Sequence, residues 1–169
     1  TGLGEWGLRK IQADKAWDLV RGSSQIIVAV VDTGVDPAHP DLASALLPGV
    51  AFNSSPSAGC GQPLLDDNGH GTHVAGTIGA SKNGRGVVGV APKVALYAVK
   101  VLDAEGSGSL SGVIDGIIWA ADNGMNVANM SLGSSMPSDA MHRAIRYAKA
   151  KGVVVVAAAG NSGGSVGYP

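Results

Sequence analysis

The sequence predicts an α/β fold, three layers deep (α/β/α), around a mostly parallel sheet. Three observations carry this. Residues 26–31 and 153–159 are apolar runs without alternation, as strands covered on both faces require. Stretches with helical spacing fall between such runs. The alternation of the two implies βαβ units with right-handed crossovers.

The elements follow in order. A first helix is expected over 8–20, where Ile11, Ala16, Trp17 and Val20 can share a face, with Gly22 ending it. The first strand covers 26–31. Residues 33–69 are rich in turn formers and leave room for at most one short strand. Residues 70–80 read as a helix of small residues, able to pack closely on what lies beneath. A second strand covers 94–102. Over 110–123, Val113, Ile114, Ile117, Ile118 and Ala121 form the apolar stripe of a helix. A short strand at 127–130 precedes a helix over 138–151, with Ser138 as N-cap and Gly152 as terminator. Residues 153–159 form the last buried strand. No internal repeat or low-complexity tract is visible.

Composition narrows the function classes. A chain of 169 residues suffices for one domain with a substantial core. It is 45% hydrophobic and 15% charged, which marks a compact chain rather than a disordered one. The net charge is −1 and Lys and Arg do not cluster, so nucleic acid and anionic membranes are poor partners. Cys60 is the only cysteine, which excludes an intrachain disulfide. It sits in a Ser/Gly/Pro-rich surface stretch, 53–63, with no His or metal-ligand pattern around it, and reads as an incidental thiol. No apolar stretch reaches membrane length, and Thr1 opens the chain without a signal-peptide pattern. A processed secreted protein fits, although composition alone fits the cytosol equally.

Three segments carry chemistry. Asp67-Asn68-Gly69-His70-Gly71-Thr72 sets a histidine at a glycine-flanked helix start, where its ring can face a cleft. Asp32 ends the strand 26–31, and Asn161 follows Gly160 beyond the strand 153–159. Sites in open α/β sheets form beyond the carboxyl ends of strands, where Asp32, Ser131 and Asn161 all fall. Asp32 can accept a hydrogen bond from His70 Nδ1, leaving the ring to act as a general base. Taken alone, Asp32 equally fits a carboxylate capping the turn before Gly34. The Asn161 amide can donate to an oxyanion, or simply tolerate a turn.

Metal and nucleotide readings are weaker. His70 and His73 stand three apart, whereas a helical zinc pair needs a spacing of four and an adjacent Glu. His73 therefore reads as a packed, hydrogen-bonded helix residue. Gly84-Arg85-Gly86-Val87-Val88-Gly89 fits the dinucleotide pattern formally but neither follows a strand nor opens a helix. Gly106-Ser107-Gly108 with Gly112 lies between strand and helix but lacks the glycine spacing.

The runs Val31-Asp32-Thr33-Gly34 and His70-Gly71-Thr72-His73-Val74-Ala75-Gly76 match the catalytic Asp and His motifs of a known family. Val90-Ala91-Pro92, residues 96–102, Asn129-Met130-Ser131-Leu132-Gly133 and Val166-Gly167-Tyr168-Pro169 continue the match. The chain resembles the subtilisin-like serine proteases (subtilases) over essentially its whole length. The resemblance implies a subtilisin-like fold, incomplete here, with residues 1–169 as the N-terminal portion of a single catalytic domain and no second domain. It implies a serine endopeptidase in which Asp32 orients, His70 is the base and Asn161 the oxyanion donor. The family's Gly-Thr-Ser-Met-Ala nucleophile segment is absent from these residues, so the Ser is expected in a C-terminal remainder and the chain alone is expected to be inactive.

By the same resemblance, Gly106, Ser107 and Gly108 face Ser131, Leu132 and Gly133 across an extended peptide. Ala158, Ala159 and Gly160 leave room for the primary specificity pocket, while Leu110, Val113 and Leu132 line an apolar one. A structural Ca²⁺ is implied as cofactor, with side-chain oxygens from Asp41 and Asn83 and carbonyls from Ser81, Arg85 and Val87; such an all-oxygen set suits the ion. The family's N-terminal Gln ligand is replaced near Gly2. Implied partners are the C-terminal remainder, peptide or protein substrates, and a propeptide or proteinaceous inhibitor, in an extracellular setting. The alternative is a truncated or pseudo-protease domain that binds peptides or another chain without catalysis.

Overall fold

A computed structural model describes residues 6–52, 65–161, 163–164 and 166–168. The stretch 53–63 with Cys60, and Gly2, lie outside the described residues. Five strands form one parallel sheet: β1 (Ile27–Asp32), β2 (Leu46–Ala51), β3 (Ala95–Lys100), β4 (Val127–Met130) and β5 (Val154–Ala157). Their spatial order is β2-β3-β1-β4-β5. The helices are α1 (Trp6–Lys10), α2 (Ala13–Ala16), α3 (His70–Gly79), α4 (Leu110–Asp122) and α5 (Asp139–Ala150).

The centre of the sheet explains the three layers. Ala29 and Val31 pack with Val99, Ile117 and Met130 on the face covered by α4 and α5. Val28 and Val30 pack with Ala75, Leu42 and Leu96 on the face covered by α3. Burying one such Val, Leu or Ile side chain contributes about 1.5–3 kcal/mol, so a two-faced strand concentrates stability in β1. Asp32 continues the alternation of Val28 and Val30 and therefore turns toward α3.

The helices begin and end on local chemistry. Ser109 accepts from Gly112 N at 3.0 Å to cap α4, and Ser138 accepts from Met141 N at 3.2 Å to cap α5. Each such cap contributes about 1 kcal/mol. The buried face of α4 is Gly112, Val113, Gly116, Ile117, Ala120 and Ala121. Ile118, assigned to that stripe by spacing, is exposed instead, because the small residues let the helix sit close to Val99 and Val101.

Three further expectations are corrected. The helix over 8–20 is two short pieces, broken at Gln12, which adopts a left-handed φ of 58°. Only Ala13 is buried there; Ile11 and Val20 are exposed, and helices this short are marginal without packing. Residues 153–159 do form a strand, but only over β5, and Val154 and Val156 are 59% and 46% exposed at the sheet edge. His73 is exposed rather than packed, because α3 turns Gly71, Ala75 and Gly79 to the sheet. The single short strand allowed within 33–69 is β2, an edge strand whose register shifts between Leu47 and Val50. Pro48 sits at that irregularity, where its missing N–H costs no ladder bond.

Candidate active site

Asp32 is the last residue of β1, and its side chain is fully buried. Its Oδ1 accepts from Thr33 N at 2.7 Å and lies 2.7 Å from His70 Nδ1. Its Oδ2 is buried with no hydrogen-bond partner among the described residues. A carboxylate with one unpaired buried oxygen gains from any positive charge that develops on the ring beside it.

His70 opens α3, preceded by Gly69 at φ 99°. Its side chain is 48% exposed, so Nδ1 faces the carboxylate while the rest of the ring borders open space. The glycine after it sets this distance. A Cβ at Gly71 would stand 2.1 Å from the Gly34 carbonyl oxygen and 3.2 Å from the Asp32 Cβ. Only glycine lets the first turn of α3 rest directly on the end of β1.

The loop before His70 is held from both sides. Asp66 accepts from Thr33 Oγ1, Asn68 N, Gly69 N, Thr72 N and Thr72 Oγ1 at 2.7 to 3.1 Å. Burial pushes its carboxyl up, but the bonds from Thr72, Gly69 and Thr33 outweigh this and hold it below the usual carboxylate range. Lys100, only 4% exposed, donates to the Thr33 carbonyl and to Asp67 Oδ1, the latter at 2.6 Å. Sequence reasoning missed both Asp66 and Lys100. A carboxylate just ahead of a helix start, and a lysine ending an apolar strand, were the signals available.

Two clefts share the wall formed by Ser131, Leu132 and Gly133. One, of 610 Å³, is lined by His70, Gly106, Ser107, Gly108, Leu110 and Val113, and by Ser131, Leu132 and Gly133 on its other wall. The second, of 590 Å³, shares Ser131, Leu132 and Gly133 and adds Ala158, Ala159, Gly160 and Asn161. The candidates His70, 106–108, Leu110 and Val113 thus border the first cleft, 158–161 border the second, and 131–133 lie between the two. Residues 131–133 make no backbone hydrogen bonds among the described residues, and Ser134 closes the stretch by pairing with Tyr168. Opposite them Ser107 is spent: its N–H donates to Asp103 Oδ1 and its carbonyl accepts from Asp103 N, both at 2.8 Å. Gly108 is pressed against the chain, since a Cβ there would lie 2.3 Å from the Val101 carbonyl oxygen.

The calcium candidates come together only in part. Asp41 is buried, and its Oδ1 accepts from Asn83 Nδ2 at 2.8 Å and its Oδ2 from Val87 N at 3.0 Å. These two bonds hold its carboxyl below the usual carboxylate range, against desolvation. Asn83 therefore turns its nitrogen to Asp41, and its oxygen accepts from Arg85 N. The Ser81 carbonyl accepts from Asn83 N at 2.9 Å. Among the described residues no group of three or more His, Cys, Asp or Glu is placed to hold a metal. As the side chains stand, both Asp41 oxygens accept N–H donors and Asn83 presents its nitrogen; a hard cation would need the Asn83 oxygen there instead.

Comparison with known proteins agrees with this geometry. The model of the subtilase family matches residues 23–169. The chain is 51% identical over 166 residues to subtilisin Savinase of Lederbergia lenta, covering 97% of this chain and 58% of that protein. It is 51% identical over 166 residues to alkaline elastase YaB of Bacillus sp. (strain YaB), covering 97% of this chain and 42% of that protein. With subtilisin DY of Bacillus licheniformis the identity is 46% over 169 residues, 97% of this chain and 59% of that one. The chain thus spans about half the length of the curated relatives it matches. Sheet, site and sequence agree that the chain belongs to the subtilase family.

Proposed function

We propose that this chain supplies the Asp and His of a serine endopeptidase, together with its substrate groove. The observation that carries this reading is the 2.7 Å contact between His70 Nδ1 and Asp32 Oδ1, with the far side of the ring on the groove. Asp32 fixes the tautomer, so the free ring nitrogen accepts the proton of an attacking hydroxyl. The Asn161 amide donates to the oxyanion. In subtilisin, the established case of such a donor, its removal costs about 10²–10³ in kcat, a magnitude borrowed from there. The hydroxyl comes from a Gly-Thr-Ser-Met-Ala segment of the protein outside these 169 residues.

The substrate is an extended peptide. Its main chain pairs with the free backbone of 131–133 on one side and with Gly106 and Gly108 on the other, while Ser107 shapes the turn. Leu110, Val113 and Leu132 favour apolar side chains, and Ala158, Ala159 and Gly160 leave room beside Asn161. A calcium ion on Asp41, Asn83 and the carbonyls of Ser81, Arg85 and Val87 stiffens the loop after α3. Secretion suits such an enzyme, as does a propeptide or protein inhibitor laid in the groove. The remainder of the protein packs on the exposed valines of β5, where an apolar strand edge otherwise invites aggregation.

A second reading is a non-catalytic peptide binder, favoured by the lack of any Gly-Thr-Ser run among these residues. A fluorophosphonate probe separates the two. The complete protein is expected to be labelled and to hydrolyse peptides, and the 169-residue chain alone is not. Labelling of neither favours the binder; labelling of the isolated chain means that the nucleophile lies within it.

A further inference from the structure

We propose that Asp66 is a positioning residue for the Asp32–His70 couple. Its carboxylate ties the strand end that carries Asp32 to the first turn of the helix that carries His70. The inference rests on the protease reading above but concerns a residue to which that reading gives no task.

Asp66 bridges two segments that are far apart in sequence. Oδ1 accepts from Thr33 Oγ1 at 2.8 Å, Gly69 N at 2.8 Å and Asn68 N at 3.1 Å. Oδ2 accepts from Thr72 N at 2.8 Å and Thr72 Oγ1 at 2.7 Å. Thr33 directly follows Asp32, while Gly69 and Thr72 flank His70. The two hydroxyls also accept. Gly71 N donates to Thr33 Oγ1 at 2.9 Å, and Asp36 N donates to Thr72 Oγ1 at 2.9 Å. Each hydroxyl thus links the segment after β1 to α3, and both point their protons at the same carboxylate.

The arrangement requires a carboxylate. An ionised Asp accepts only, with about four lone-pair sites, and here every donor needs an acceptor. An Asn can replace one oxygen but not both. Whichever way its amide turns, N–H or O–H donors are left facing an NH₂ group. Depending on that turn, either Gly69 N at the N-cap of α3 or Thr72 N in its first turn would lose its acceptor beside His70. A shift of about 1 Å in a reacting group can cost about 10²-fold in rate.

The rival account is that Asp66 only caps the helix and contributes stability alone. The test uses the complete protein with Asp66→Asn, Thr72→Val and Thr72→Ser, assayed well below their melting temperatures. The expected result for Asp66→Asn is a loss in kcat of about 10–100-fold with KM changed less than about threefold. The low-field proton resonance of the His70–Asp32 hydrogen bond should broaden or move upfield. Thr72→Val should move both readouts the same way by less, and Thr72→Ser should restore them. An Asp66→Asn protein that melts earlier yet keeps kcat and the resonance overturns the proposal. If Asp66→Asn does not fold, the Thr72 pair decides: equal kcat in Val and Ser variants overturns it. A parent protein that neither hydrolyses peptides nor takes the fluorophosphonate sinks the protease reading instead. The resonance would then decide the positioning claim without it.

Discussion

His70 and Asn161 stand on segments of opposite character. The first lies where α3 meets the end of β1, a junction closed by Gly71, knitted through Asp66 and Thr33, and backed by fully buried valines. The second lies in an exposed stretch beyond β5, where Val154 and Val156 are exposed and an antiparallel bridge joins Ser134 to Tyr168. The difference teaches that the Asp32–His70 contact is set by contacts internal to this chain. Asn161, the proposed oxyanion donor, is exposed. Geometry that must hold to a fraction of an ångström is built where packing and hydrogen bonding coincide.

The largest break in this comparison is Gly71→Val. Its side chain meets the Gly34 carbonyl, and lifting α3 off β1 should cost about 3 kcal/mol or more and separate His70 from Asp32. Gly160→Ala is the matching change on the other side. Nothing lies within 4 Å of its Cβ, so only the left-handed φ of 89° opposes it, at about 1–2 kcal/mol. Urea unfolding of both variants checks this, and equal losses would erase the contrast. Chelation comes next. The 81–87 loop, which bonds to Asp41, follows α3 on the well-knit side, so excess EDTA should lower the melting temperature, by up to about 3 kcal/mol of lost binding linkage. An unchanged melting temperature would remove calcium from the account.

The smallest effect is a pH slope. The Asp66 carboxyl lies below its ordinary value of 3.8 in the folded state, so its bonds stabilise fully above that value. That contribution is lost as pH falls through the lower folded value. Wild type should therefore lose stability below about pH 4 more steeply than Asp66→Asn, in which no group titrates at that place. Parallel slopes would mean that the carboxylate is not preferentially stabilised in the folded state.

Much of this was legible in the sequence, and the gaps have physical causes. β1 and β3 read clearly because continuous apolar runs are what a two-faced strand needs. α4 read from spacing, and α5 from spacing plus the Ser138 cap and the following Gly152. Asp32 was placed at a strand end and His70 at a glycine-flanked helix start, and both sit there. The helix over 8–20 failed because periodicity predicts a face but not a partner, and Ile11 and Val20 find none among the described residues. The burial of β5 failed for the same reason: Val154 and Val156 are apolar whether or not anything lies on them. Asp66 and Lys100 were passed over because their partners, Thr33 and Asp67, are brought to them by the fold and not by spacing. Asn83 was identified, but the direction of its amide depends on Arg85 and Asp41, which no spacing rule fixes.

The central claim is that this chain prebuilds an acid–base pair for a hydroxyl supplied elsewhere in the protein. The most direct test is kcat for peptide hydrolysis by the complete protein carrying Asp32→Asn, with fluorophosphonate labelling rates in parallel. Asn keeps the shape at the end of β1 but holds His70 in the wrong tautomer. The account predicts a loss of about 10⁴-fold in kcat, with little change in KM and an equally slowed labelling rate. Wild-type turnover and labelling in that variant would contradict it.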